Sequence, residues 1–202
     1  MCLRWIRWLL VFCLAMGAWQ IGQVGYFQSK AWLAGMLIER AWAQTLEGAQ
    51  QVRPWPWADT WPVAELTVPG LGVQQIILAG DSGRVLAFAP GYTHKSTLQD
   101  NGLSVISAHR DTHFEFLREL KNGDEIFLKT LDGVTPFQVR EFAVVDARDY
   151  LIDPARFADQ QSAGQLSLLL VTCYPFDALQ AGGYQRFLVL AVRTPEEKIE
   201  GI

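Results

Sequence analysis

Between Arg7 and Lys30 the chain carries no charged residue, and residues 8–27, WLLVFCLAMGAWQIGQVGYF, are mostly apolar. About 20 residues at 1.5 Å rise cross a hydrocarbon core of ~30 Å, so this run predicts a membrane-spanning helix. Gln20, Gly22, Gln23 and Gly25 weaken its second half. Residues 30–49 are rich in Ala, Leu, Met, Glu and Gln, which extends the helix past the apolar run. They show no clean polar face, as expected of an interfacial helix lying against lipid or against the body of the protein. Three prolines in RPWPWADTWPVAEL, residues 53–66, then exclude a helix and predict a stiff, extended connector. The tryptophans of that connector are expected to pack on their own domain, because large rings bury so much area, with a ligand groove as the alternative.

From Val63 onward the pattern becomes one of short β-rich runs separated by turn residues. Strands are predicted at 64–68, 75–79, 85–89, 103–108, 125–131, 136–145, 166–172 and 186–192. Turn pairs such as Pro69-Gly70 and Pro90-Gly91 punctuate them. The spacing of Phe114, Leu117 and Leu120 predicts a helical piece over 114–121. Eight strands within about 130 residues, with no repeat period, predict one all-β domain, a barrel or a sandwich.

Composition adds a second contrast between head and body. All eight tryptophans lie between Trp5 and Trp61. The formal charge of −4 is uneven, since residues 1–60 hold five Lys and Arg against three Asp and Glu. The remainder is therefore acidic, which argues against a basic nucleic-acid-binding face. Arg4 and Arg7 precede the apolar run, and positive residues stay on the cytoplasmic side, so the body is expected outside the cytoplasm. A cleaved signal peptide is the alternative. However, its small-residue triplet, Ala41-Trp42-Ala43, lies far beyond the apolar run and has a bulky centre. The expected organisation is a cytoplasmic tip and anchor at 1–29, a helix and Trp/Pro-rich connector at 30–62, and a body at 63–202.

Of three cysteines, Cys2 and Cys13 lie in or beside the apolar run, and only Cys173 is in the body. It has no obvious disulfide partner and ends an apolar strand, where a side chain can be presented at a rim. A buried, inert thiol is the plainer alternative. His109 ends another strand, so neighbouring strands can bring a thiol and an imidazole to one face, the basic pairing for nucleophilic catalysis. His113 competes with it, and the spacing His109-x-x-x-His113 also suits zinc, but no second ligand pair of recognised spacing accompanies it. Arg186 opens the last strand after Gly182-Gly183. There it is either a solvated strand end or a donor to a developing oxyanion.

Together these residues resemble the sortases, the cysteine transpeptidases, over about residues 60–193. The sortase signature T-L-x-T-C appears as Leu169-Leu170-Val171-Thr172-Cys173, with Leu169 in place of the first threonine. The histidine, often preceded by glycine in the family, here follows Ala108. The tryptophan-rich head resembles the Gram-negative branch, the class GN sortases. The resemblance implies an eight-stranded β-barrel with short helices, preceded by the membrane helix, and an active site in a groove. It implies Cys173 as nucleophile, His109 as general acid and base, and Arg186 holding the oxyanion and substrate, with Thr172 and Ala108 as groove-wall candidates. The implied partners are a secreted protein with an LPxTG-like C-terminal sorting signal, an amine acceptor and the inner membrane. The implied location is a single-pass anchor with a cytoplasmic N-terminus and a periplasmic body. No cofactor, metal or nucleic acid is implied; calcium would need clustered carboxylates, for which Asp146, Asp149 and Asp153 are weak candidates. Two other function classes fit the residues: a hydrolytic cysteine peptidase, and a non-catalytic, membrane-tethered β-domain with an inert Cys173.

Overall fold

The computed structural model describes residues 2–93, 102–148, 166–178 and 183–194. The chain divides into two compact units, Met1–Leu37 and Ile38–Ile202. Helix α1 (Cys2–Leu46) is continuous through its internal glycines and runs from the first unit into the second. It is the one helix among the described residues long and apolar enough to cross a membrane.

Within the second unit the last turns of α1 rest on the body. Ile38 packs with Leu78, Val85 and Ala89. Trp42 is buried and its Nε1 donates to Glu65 Oε2 at 2.8 Å. Of the connector tryptophans, Trp55 packs edge-on against Phe88, with ring centroids 5.0 Å apart, whereas Trp57 is 82% exposed. The packing expected of these rings therefore holds for Trp55 and fails for Trp57.

The body is a closed barrel of eight strands in the order β1-β2-β3-β4-β7-β8-β6-β5. The strands are β1 (Pro62–Val68), β2 (Val73–Ala79), β3 (Gly91–Tyr92), β4 (Leu103–Ser107), β5 (Glu125–Thr130), β6 (Gly133–Asp146), β7 (Ser167–Cys173) and β8 (Gln185–Arg193). Pairing of β1 with β5 closes the circle. The pairs β2–β3 and β4–β7 are parallel and the other six antiparallel.

Period-two alternation along the strands builds the interior. In β1 Ala64, Leu66 and Val68 are essentially inaccessible while their neighbours are half-buried. They join Ile77, Ile106, Phe114, Ile126, Phe137, Leu168, Leu170 and Val189 in the main core. The other face of β4, β7 and β8 is also apolar. Leu103, Val105, Leu169, Val171, Leu188 and Leu190 form a second buried cluster there. Burial on both faces explains why β7 reads as a continuous apolar run instead of an alternating one.

One predicted strand is a helix. Residues 85–89 lie in and just after a short helix, α2 (Gly83–Leu86), whose start is capped by Ser82 accepting from Val85 N. The apolar run buries Val85 and Ala89, four residues apart, and leaves Ala87 and Phe88 exposed. A five-residue apolar run fits both periods, and the serine cap decides between them. The third strand is instead the two-residue β3, where a Cβ on Gly91 would stand 2.2 Å from Gly80 O. The helical piece expected at 114–121 is a shorter 3-10 turn, Glu115–Arg118.

Candidate active site

The site is built where β4, β7 and β8 end or begin side by side. Cys173, the last residue of β7, pairs with Arg186 near the start of β8. Tyr174 N donates to Gln185 O at 3.0 Å, so that pair carries the ladder hydrogen bond. Cys173–Arg186 is then the non-hydrogen-bonded neighbour, the type in which Cα atoms approach to about 4.5 Å and side chains lie closest. On the other side, parallel β4 runs in register with β7 up to Ser107 opposite Val171. His109 and Cys173 each lie two residues beyond that last pair.

Alternation puts Cys173 and Arg186 on one face. Leu169 and Val171 belong to the second apolar cluster, and Cys173 continues their series along β7. Leu188 and Leu190 do the same for Arg186 on β8, and Leu103 and Val105 mark that face on β4, which ends two residues before His109. The thiol is free and half-buried, His109 is exposed and Arg186 is half-buried. An accessible thiol and a guanidinium therefore share the rim of an apolar sheet face, and an imidazole follows the end of the adjoining strand. That combination suits nucleophilic attack on a carbonyl, proton transfer to a leaving group and stabilisation of the resulting oxyanion.

The guanidinium of Arg186 also closes its own turn. Its Nη1 donates to Gly183 O at 2.7 Å and Gln185 O at 2.9 Å. Nearby, Arg148 clasps the carboxylate of Asp146 through Nε at 3.0 Å and Nη2 at 2.7 Å. These bonds hold the Asp146 carboxyl down at about 2, with Arg186 adding a weaker pull. Arg148 in turn lies over the Tyr184 ring at 4.5 Å. This web of charge and ring braces the entry to β8.

Backbone ties set the position of His109. Ala108 N donates to Val171 O at 3.2 Å, and Thr172 Oγ1 donates to Ala108 O at 2.8 Å. Thr172 and Ala108, expected as groove-wall candidates, are both buried, and Ala108 packs in the main core. Their hydrogen bond ties β4 to β7. After His109 the chain turns back so that Phe114 N donates to His109 O at 2.9 Å. His113 is half-buried in this turn, and its carbonyl accepts from Gln75 Nε2 at 2.7 Å. Burial lowers the His113 pKa, and repulsion by the His109 imidazole adds to the shift.

Sequence reading passed over two features of this corner. Arg110, directly after His109, is 9% exposed, and its Nη2 donates to Ala178 O at 3.0 Å. The signal for it was a charged residue adjoining the histidine. An aromatic set of Tyr174, Phe176, Phe187 and Phe142 stacks edge-on and face-on beside the site. It is spread over three segments of the sequence, and no local pattern marks it. Among the described residues no group of three His, Cys, Asp or Glu is placed to hold a metal. The carboxylate of Asp146 is taken up by Arg148, while His94, Asp149 and Asp153 lie outside the described residues.

A family model of the sortase domain matches residues 66–194. Sortase D of Bacillus subtilis (strain 168) is 30% identical over 112 residues, 55% of this chain and 54% of that protein. The match thus spans about half the length of this relative. The pilus-related sortase C of Group B Streptococcus superposes with a TM-score of 0.53 and 26% identity, covering 67% of this chain and 68% of that one. Sortase A from Corynebacterium diphtheriae shares the fold, with a TM-score of 0.58 at 22% identity over 77% of this chain and 70% of its own.

Proposed function

The chain belongs to the sortase family, and on that footing we propose that it is a membrane-anchored cysteine transpeptidase of the Gram-negative, class GN type. The observation that supports this most is the cross-strand pair Cys173–Arg186, with His109 two residues past the end of the adjoining strand.

In this reading the Cys173 thiol gives its proton to His109 and its sulfur attacks the carbonyl carbon of a peptide bond in an LPxTG-like C-terminal sorting signal. The carbonyl oxygen becomes an oxyanion that accepts from the Arg186 guanidinium. His109 protonates the amine as the C–N bond breaks, leaving a thioester on Cys173. An acceptor amine then gives a proton to His109 and attacks the thioester, so that a new amide forms as the C–S bond breaks and His109 returns the proton to the departing Cys173 sulfur. Residues 1–29 serve as cytoplasmic tip and inner-membrane anchor, 30–62 as connector, and 63–202 as the periplasmic catalytic body. Arg4 and Arg7 before the uncharged run support that orientation. The substrate is a secreted protein carrying the signal.

The test uses the full chain in detergent, a sorting-signal peptide and an added amine. Amine-dependent formation of the new amide, absent from Cys173→Ala, supports transpeptidation. Hydrolysis that added amine cannot divert would make the protein a cysteine peptidase, and no turnover of any sorting-signal peptide would sink the reading.

A further inference from the structure

We propose that Arg110 is a positioning residue for the Cys173–His109 pair, acting as a buried clamp between the segments that follow β4 and β7. The proposal rests on the transpeptidase reading above and adds a residue to it.

His109 and Cys173 are held from both sides by bonds between the same two stretches of chain. Upstream, Ala108 N reaches Val171 O and Thr172 Oγ1 reaches Ala108 O. Those ties end one residue short of each reacting side chain. Beyond that point β4 has stopped, and no ladder continues to set the gap between the two strands. Downstream, Arg110 Nη2 donates to Ala178 O, five residues past Cys173. His109 therefore sits between a tie at 108 and a tie at 110, while Cys173 sits between the strand and the loop that receives the second tie.

The chemistry of the residue favours this role over a solvated charge. A guanidinium cannot shed its charge, and burying it is costly unless its donors are satisfied. At 9% exposure Arg110 is buried deeper than any other Lys or Arg among the described residues. A long stem with a rigid, planar fork holds a carbonyl in a fixed direction, which a lysine ammonium does less well. A pair of reacting groups needs that fixity, since a displacement of about 1 Å costs on the order of 10²-fold in rate.

The experiment reads the pair without needing the natural substrate. The full chain in detergent is alkylated with iodoacetamide across a pH series, and modification is measured on the Cys173 peptide by mass spectrometry, which excludes Cys2 and Cys13. The His109→Ala profile gives the reference for a thiol without its imidazole. Arg110→Met keeps the apolar stem and removes the donors, so its profile should move toward that of His109→Ala. With a sorting-signal peptide its kcat should fall roughly 10- to 100-fold while KM stays within about 3-fold. Arg110→Lys should recover part of both. A folded Arg110→Met with the wild-type profile overturns the clamp. If that variant does not fold, Arg110→Gln, whose shorter arm falls short of Ala178, is read in the same way, and failure of both to fold assigns Arg110 to stability alone and also overturns it. If His109→Ala itself leaves the profile unchanged, the Cys173–His109 pairing falls, and the clamp with it.

Discussion

Cys173 on β7 stands directly across from Arg186 on β8, in the narrow, non-hydrogen-bonded position of the ladder. Directly opposed residues of an antiparallel pair project to the same face, so the thiol and the guanidinium are neighbours by strand pairing alone. A carbonyl held at Cys173 would lie within the reach of Arg186, provided the guanidinium turns from the Gly183 and Gln185 carbonyls it now serves.

That geometry makes Arg186 a test of mechanism. A planar fork is expected to matter as well as the charge, so Arg186→Lys should slow acylation of Cys173 far more than it weakens peptide binding. The loss should be on the order of 10²–10³ in rate, about 3–4 kcal/mol. Single-turnover thioester formation is the measurement. Near-wild-type rates for Arg186→Lys and Arg186→Ala would reduce the residue to the clasp of its own turn.

Cys173→Ala should abolish both acylation and transfer while the denaturation midpoint changes little. The substitution removes one half-buried sulfur and leaves the β7 ladder intact, an effect of about 1 kcal/mol or less. Thermal unfolding measured beside turnover checks it. A structural thiol would give the opposite result, with lost stability and retained turnover.

Thr172→Val replaces the hydroxyl that donates to Ala108 O with a methyl of similar size. A buried carbonyl then loses a partner, which costs roughly 1–3 kcal/mol. Urea unfolding should show the loss of stability. A fall in kcat larger than any change in KM should accompany it, because the bond fixes the residue before His109.

Stability should depend on pH through two groups of known sign. Folding lowers the His113 pKa, so below about 6.5 the unfolded chain takes up a proton that the folded one resists, and stability falls as pH drops. Asp146, held at about 2, contributes stability above its unfolded value near 3.8 that is lost as pH falls toward 2. Urea midpoints for His113→Gln and Asp146→Asn should each be flatter than wild type, the first below pH 6.5 and the second between about pH 4 and 2. Unchanged slopes would contradict the assignment.

The anchor reading predicts the side on which the body lies. A reporter fused after Ile202 should be active only if it functions outside the cytoplasm, because the proposed orientation keeps Arg4 and Arg7 on the cytoplasmic side. Cytoplasmic activity would reverse the orientation.

Much of the barrel was legible because period-two alternation and turn residues are local signals. Seven of the eight predicted strands overlap a strand of the barrel, and the exception at 85–89 lies where a serine cap and four-residue spacing outweigh β-propensity. The candidate site residues were legible too, as chemistry-bearing side chains at strand ends: His109 after LSVISA, Cys173 closing LSLLLVTC, and Arg186 at the head of β8. The sequence also determined which face of its own strand Cys173 and Arg186 would occupy, since alternation is a property of extended backbone alone. Only the tertiary structure decided which strands adjoin. Parallel β4–β7 and antiparallel β7–β8 are pairings across 64 and 13 residues, and they put His109 and Arg186 on either side of Cys173. The Arg110–Ala178 tie, the burial of Thr172 and Ala108, and the aromatic set around Phe187 follow from the same closure. Strand register and barrel closure are selected by burying the whole core at once, and no window of sequence contains that sum.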